Sequence, residues 1–212
     1  MKLSTLLVEL VGTFALVFTI AISSGNPLAI GATLAVLVAS FGSVSGGHFN
    51  GAVTLGHFFT QRLSGRQTVL YLIAQVIGAA LASLLFYLMA KVAFVPQGSA
   101  GLDLWAVMAL EAIFTALLVT VVLRVASTDK AEYGSIAPLV IGLALLGGVY
   151  VTGQVTGGVL NPSLGLGALL MDLKTQTADM MKLSNYVAMY LLSPIVGGAL
   201  AAGFDRYLRR QS

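Results

Sequence analysis

The sequence predicts an all-α integral membrane protein with six transmembrane helices and two re-entrant half-helices, built as an inverted repeat. Three observations carry that prediction. Of 212 residues, 58% are hydrophobic and only 9% charged, with a mean hydropathy of +0.95; soluble domains hold about 45–50% apolar and about 25% charged residues. Six apolar stretches approach the ~20 residues that cross a bilayer core. Two glycine-asparagine stretches, one in each half, echo each other. A chain of this length reads as one domain, 1–212, with repeat one over about 1–95 and repeat two over about 101–210.

The same composition closes off several function classes. A net charge of +3 and a pI near 9.3 could suit nucleic acid, but the eleven basic residues are scattered at segment ends and form no patch. With no cysteine there is no disulfide or thiol chemistry. Two histidines without cysteine argue for no metal site, and no nucleophile–base constellation argues for catalysis. No catalytic residue and no cofactor is therefore expected. The start Met1-Lys2-Leu3-Ser4 is like the charged head of a signal peptide. The apolar stretch runs on to Ile22 without an Ala-x-Ala site, so a retained first helix is expected.

In chain order, the spans fall at roughly Leu3–Ser23, Leu28–Ser43, Thr68–Val95, Leu102–Ala126, Ser135–Val155 and Asn185–Leu208. Between the second and third lies Asn50–Gln61, and between the fifth and sixth Asn161–Asp172. At about a dozen residues each, these are too short to cross and fit half-helices. The halves echo in order. Glu9-Leu10-Val11-Gly12-Thr13-Phe14 answers to Glu111-Ala112-Ile113-Phe114-Thr115-Ala116, Ile30-Gly31-Ala32 to Ile141-Gly142-Leu143, and Gln75-Val76-Ile77-Gly78 to Pro194-Ile195-Val196-Gly197. Three spans per repeat force the copies into opposite orientation. Inverted repeats of this kind place the functional site near the midplane, with half-helix N-termini facing it.

The loops before the half-helices are the most informative stretches. Ser45-Gly46-Gly47-His48-Phe49-Asn50-Gly51-Ala52-Val53-Thr54 and Thr156-Gly157-Gly158-Val159-Leu160-Asn161-Pro162-Ser163-Leu164-Gly165 each place two glycines three and four residues before an asparagine. Asparagine is a favoured N-cap, and Pro162 directly after Asn161 suits the first helical position. Non-helical backbone at membrane depth is tolerated only inside protein or along a watery cavity. The pattern points to a pore.

Orientation follows from lysine and arginine. With the N-terminus inside, Lys2, Arg62, Arg66, Arg124, Lys130, Arg206, Arg209 and Arg210 are cytoplasmic, against Lys91, Lys174 and Lys182 outside. The positive-inside rule then puts both termini in the cytoplasm. Trp105, Tyr71, Tyr87, Tyr150, Tyr186, Tyr190 and Tyr207 mostly fall near span ends, where aromatic belts sit. Met171–Ser184 reads as an extracellular loop of amphipathic character.

Over essentially its whole length the chain resembles the aquaporin and aquaglyceroporin (major intrinsic protein) channels. Glu9-Leu-Val-Gly-Thr-Phe is similar to that family's first-helix signature, and the two loops are similar to its pore loops. The family pattern is Asn-Pro-Ala twice; here it is Asn50-Gly51-Ala52 and Asn161-Pro162-Ser163. The resemblance implies a passive channel for water or small uncharged solutes in the lipid bilayer, assembled as a homotetramer with one pore per subunit. Short loops and lack of tails suit a bacterial inner membrane. In the family, Glu9 and Glu111 would brace the loops, and His48 would lie near the cytoplasmic pore mouth. His57 has no evident partner and is expected in packing or an interface. Gly51 is expected to relax the first half-helix only slightly, so that Gly51→Pro would stabilise the fold modestly.

The resemblance also locates a constriction. By ungapped spacing it falls at Ile30, twenty residues before the first asparagine, and at Val149, Gly158 and Leu164, respectively twelve before, three before and three after the second. Water channels and glycerol facilitators carry arginine at that last position; this chain carries Leu164. A ring of Ile30, Val149, Gly158 and Leu164 offers no polar side chain, and narrow hydrophobic constrictions can dewet. Glycerol-like polyols, ammonia, dissolved gases, hydrogen peroxide and undissociated metalloid hydroxides are then better candidates than water. Two alternatives stay open on residues alone. One is a structural or junction protein whose pore is occluded by Ile30, Val149 and Leu164. The other is a secondary transporter, for which no coupling residues beyond the bracing pair are seen.

Overall fold

The computed structural model describes residues 2–98, 101–126, 134–175 and 183–211. Its helices are α1 (Leu3–Ile22), α2 (Pro27–Ser45), α3 (Gly51–Phe59), α4 (Gly65–Ala90), α5 (Leu104–Val125), α6 (Ala137–Thr156), α7 (Pro162–Thr175), α8 (Leu183–Val187) and α9 (Ser193–Arg209). A π-helical turn over Ala188–Leu192 joins α8 to α9. Six helical segments among the described residues are long and apolar enough to cross a membrane: α1, α2, α4, α5, α6 and the continuous run Leu183–Arg209. The half-helices α3 and α7 are the remaining two.

Local chemistry sets the boundaries, and in places moves them from the expected ones. The second span begins at Pro27 because Asn26 caps it, its side chain accepting from the N–H groups of Leu28 and Ala29. The third begins at Gly65, ahead of the expected Thr68, because Ser64 and Gln67 form a reciprocal capping box. It ends at Ala90, short of Val95, where Lys91 turns left-handed. The last span is widened at its start: Pro194 has no N–H to give the carbonyl of Tyr190, and one π turn precedes it. The second half-helix runs to Thr175, so Met171–Thr175 is helical. Of the expected Met171–Ser184 loop, residues 176–182 lie outside the described residues, as does Lys130.

The bundle buries a set of polar side chains within an apolar core and is apolar outside. Leu3, Leu7 and Val11 of α1 and Ile113 and Leu117 of α5 face outward, while Glu9, Thr13, Gln75, Glu111 and Thr115 are buried. Such a surface has no partner in water but suits hydrocarbon. Packing follows the repeat: α1 lies on α4 as α5 lies on α9, and α2 packs against α6 across the middle. Each half-helix crosses to the other half, α3 onto α9 and α7 onto α4. The α2–α6 contact is backbone to backbone. A Cβ on Gly31 would stand 2.6 Å from the Gly142 carbonyl, and one on Gly142 would stand 2.5 Å from the Gly31 carbonyl.

At one end of the bundle Asp205 of α9 is fully buried. It takes Arg62 and Arg209 at 2.9 Å each, with Arg124 at 3.9 Å. Arg62 also donates to the carbonyl of Leu123, so the cluster ties the chain after α3 to the ends of α5 and α9. The aromatic residues divide. Trp105, Tyr150 and Tyr207 are exposed as a belt requires, but Tyr71, Tyr186 and Tyr190 are buried in the core.

Candidate pore and constriction

Both pore loops are held in the same unusual backbone shape. Gly46 and Gly47, and Gly157 and Gly158, all have positive φ, which glycine adopts without steric penalty. The residue directly before each asparagine is left-handed too: Phe49 at φ 48° and Leu160 at φ 47°. For a side chain with a Cβ that conformation costs on the order of 1–2 kcal/mol and persists only when the surroundings hold it.

The two intramembrane carboxylates do the holding. Glu9 accepts from the Ser45 hydroxyl (2.7 Å) and from the N–H groups of His48 (3.0 Å) and Phe49 (2.8 Å). Glu111 accepts from the Thr156 hydroxyl (2.5 Å) and from the N–H groups of Val159 (3.1 Å) and Leu160 (2.8 Å). Two tyrosines complete the mirrored frame: Tyr71 donates to the carbonyl of Ser45 and Tyr190 to that of Thr156. Space for Phe49 comes from Gly12, where any Cβ would overlap the Phe49 ring. Glu9 differs from Glu111 in one respect, since it also accepts from Gln75 Nε2 at 2.8 Å.

This frame brings Asn50 and Asn161 together at the starts of α3 and α7. Asn50 Oδ1 caps α3 by accepting from Ala52 N–H at 2.8 Å. Asn161 Oδ1 accepts from Ser163 N–H at 3.0 Å and Leu164 N–H at 3.4 Å, and also takes the Gly51 N–H of the other half-helix at 3.2 Å. The amide groups cross over. Asn50 Nδ2 donates to the Leu160 carbonyl and Asn161 Nδ2 to the Phe49 carbonyl. An amide NH2 carries two hydrogens, so each asparagine keeps one N–H beyond the one that locks the opposite loop.

A cavity of about 10 Å3, room for about one water, is lined by Ile30, Val149, Gly158 and Leu164 together with Asn50, Asn161, Leu16, Ile20, Leu145 and Val159. The four residues that the family resemblance pointed to line one narrow space with both asparagines, and among the described residues the asparagines are its only polar side chains. Val149 also lines a larger cavity of about 530 Å3, and Ile20 one of about 560 Å3. These carry Ser23, Ser24, Asn26, Tyr150, Gln154 and Gln97 and, among the described residues, no charged side chain. Leu16, Ile20, Leu145 and Val159 were not singled out from sequence, because one more aliphatic residue in an apolar span carries no signal.

His48, expected near the cytoplasmic pore mouth, has little exposed surface. It is buried, its Nδ1 lies 3.1 Å from Thr54 Oγ1, and its ring stacks on His57 at 4.2 Å and tilts against Tyr71. His57, without an evident partner in sequence, therefore stacks on His48 and also reaches the Val53 carbonyl at 2.9 Å. Gly51 is more than a relaxed helix start. A Cβ there would stand 2.6 Å from Ser163 Oγ and 3.0 Å from Pro162 Cγ. Proline at this position would also forfeit the N–H given to Asn161, so the expected gain from Gly51→Pro is replaced by a loss. Among the described residues no three His, Cys, Asp or Glu side chains come close enough to hold a metal.

Six apolar spans around two half-helices that meet head to head, with a narrow gap between their caps, define a membrane channel protein. The family model for major intrinsic proteins matches residues 23–204, and the chain belongs to that family. Aquaporin AqpM of Methanothermobacter thermautotrophicus is 32% identical over 94% of this chain and 95% of its own. A probable AqpM of Archaeoglobus fulgidus is 36% identical over 88% and 78%. The glycerol uptake facilitator protein-like 6 of Lactiplantibacillus plantarum is 36% identical over 92% and 94%. In fold, the aquaglyceroporin of Plasmodium falciparum superposes with a TM-score of 0.86 over 98% of this chain and 97% of that one, at 23% identity.

Proposed function

We propose that the protein is a passive channel for water and small uncharged solutes, with Asn50 and Asn161 as the donors at its centre and Ile30, Val149, Gly158 and Leu164 as its constriction. One observation carries the reading: the central cavity holds two asparagine amides in an otherwise apolar wall. A solute crossing the ring sheds water against Ile30, Val149 and Leu164 and meets replacement donors only at the asparagines. The N-termini of α3 and α7 point their positive dipole ends at the same place, which opposes cations and protons. Glu9 and Glu111 are occupied by three or more donors each, so they brace the loops and relay no proton. Weakly hydrated solutes such as glycerol-like polyols, ammonia, hydrogen peroxide and undissociated metalloid hydroxides fit this wall better than water does.

The protein lies in a bacterial inner membrane with both termini cytoplasmic and works as a homotetramer. Support for the orientation comes from the clustering of Arg62, Arg124 and Arg209 around Asp205 at one end of the bundle. The alternative of a pore occluded at the ring has only the small size of the central cavity, about 10 Å3, on its side, and the aquaporin and glycerol-facilitator relatives do not favour it.

Stopped-flow light scattering on proteoliposomes separates the two. Fast water flux supports a wet ring. Slow water with fast glycerol, ammonia or peroxide supports the apolar filter. No flux of any of these above bare liposomes sinks the channel reading in favour of the occluded one.

A further inference from the structure

Two positions that read separately in the sequence meet in the structure. Gly51 opens α3 and Ser163 stands in the first turn of α7, 112 positions later in the chain, yet a Cβ on Gly51 would fall 2.6 Å from Ser163 Oγ. Only a residue without a side chain leaves that hydroxyl its place. Ser163 uses the place to donate to Gln75 Oε1 at 3.1 Å. Gln75 in turn donates from Nε2 to Glu9 Oε2 (2.8 Å) and to Thr54 Oγ1 (2.9 Å), and Thr54 donates to the Asn50 carbonyl at 3.1 Å. Gln75 is fully buried, and with one acceptor and two donors engaged its amide is satisfied. Gly51 contributes a second cross-link, its own N–H to Asn161 Oδ1 at 3.2 Å.

These links solve a physical problem. Two helix N-termini that meet head to head present like partial charges and unsatisfied N–H groups to each other. Acceptors must stand between them. Asn161 Oδ1 is one, and Gln75 Oε1, reached through Ser163, ties α7 to the brace of the opposite half. The repeat does not supply this twice: the position answering to Gln75 is Pro194, and the one answering to Ser163 is Ala52.

We propose that Gly51 and Ser163 form one coupled unit, with Gln75 as its anchor, that fixes the spacing of the two half-helices and the aim of the Asn161 amide into the pore. All three are positioning residues. The proposal rests on the channel reading for its functional consequence, but the coupling itself is a statement about the fold.

The test is a double-mutant cycle on the full-length protein, read by thermal unfolding in detergent and by water and glycerol flux in proteoliposomes. Gly51→Ala is expected to lower the unfolding midpoint and the flux. Gly51→Ala/Ser163→Ala is expected to recover much of the lost midpoint, because removing the serine hydroxyl relieves the 2.6 Å contact and leaves only Pro162 Cγ at 3.0 Å and Leu72 Cδ2 at 3.2 Å, while its flux ratio stays that of Ser163→Ala. Ser163→Ala alone keeps the fold and shifts the water-to-glycerol permeability ratio by about threefold, the scale of one lost hydrogen bond. A purely structural role would leave that ratio unmoved. If Gly51→Ala yields no folded protein, the double variant decides in place of the cycle: it must still fold, and a double variant that also fails to fold overturns the proposal. Additive midpoints across the cycle, or an unchanged ratio in Ser163→Ala, overturn the proposal. Absence of flux in the unsubstituted protein with non-additive midpoints would overturn the channel reading and leave the coupling standing.

Discussion

Asn50 and Asn161 each hold the loop that carries the other: Asn50 Nδ2 donates to the carbonyl of Leu160 at 2.8 Å, and Asn161 Nδ2 to that of Phe49 at 3.0 Å. The carbonyls belong to the two strained residues that precede the asparagines. Left-handed φ at Phe49 and Leu160 and the crossed amide bonds are therefore one arrangement, and neither side of it stands alone.

The crossing is not symmetric in what each asparagine accepts. Asn50 Oδ1 takes one N–H, that of Ala52, while Asn161 Oδ1 takes those of Gly51, Ser163 and Leu164. Asn161→Ala strands more buried donors than Asn50→Ala, each costing about 1–3 kcal/mol if left unpaired. Asn161→Ala is expected to lose more stability than Asn50→Ala, by roughly 2 kcal/mol. Thermal unfolding of the two variants in one detergent decides it, and equal midpoints would count against the bonding pattern.

Replacing Glu111 probes the brace. Glu111→Ala leaves the Val159 and Leu160 N–H groups without their acceptor, while the Thr156 hydroxyl keeps the Thr152 carbonyl at 3.2 Å, and should cost on the order of 3–5 kcal/mol, with loss of flux. Glu111→Gln keeps one oxygen but sets an NH2 against a backbone N–H, and should fall between Ala and the parent. A Gln variant as stable and as conductive as the parent would show that one acceptor suffices.

Much of this was legible in the chain. The spans follow from hydrophobic length, and the half-helices from glycine pairs ahead of a capping asparagine, because those signals are local. The four residues of the proposed ring came from the family resemblance, by counting from the asparagines; Ile30 and Val149 lie on the helices that run directly into the two loops, so the count crosses no unassigned segment. What stayed hidden is what depends on contact between the halves. Gln75 was visible only as one letter of a repeat, and its bond to Ser163 needs the fold. Tyr71 and Tyr190 look like belt residues by position, yet they point inward to hold Ser45 and Thr156. The departure at Gly51 reads as a weakened helix start until Ser163 is seen beside it.

Leu164 is buried in the wall of the central cavity. Leu164→Arg adds volume, donors and a charge at the proposed constriction, so flux of larger neutral solutes should fall. A drop of about tenfold in glycerol permeability corresponds to ~1.4 kcal/mol of added barrier. The measurement is glycerol light scattering at matched protein density. Undiminished glycerol flux in a normally folded variant would place the constriction elsewhere.

The backbone contact between Gly31 and Gly142 sets how closely α2 approaches α6, and the proposed ring depends on that approach. Ile30 adjoins Gly31 on α2, and Val149 lies two turns beyond Gly142 on the same face of α6. A Cβ at either glycine would meet the other's carbonyl, and at Gly31 also Leu146 Cβ at 2.6 Å. Gly31→Ala should therefore push the helices apart at a cost of about 1–3 kcal/mol, the usual scale of overpacking. Gly142→Ala opens the same contact, so the double variant should lose less than the sum of the singles. Because Ile30 and Val149 move away from Leu164 as the helices separate, the flux of glycerol relative to water should rise in the same variants. Unfolding midpoints and paired water and glycerol fluxes check both halves of this expectation. Strictly additive midpoints with an unaltered flux ratio would show that the ring keeps its shape independently of the α2–α6 seam.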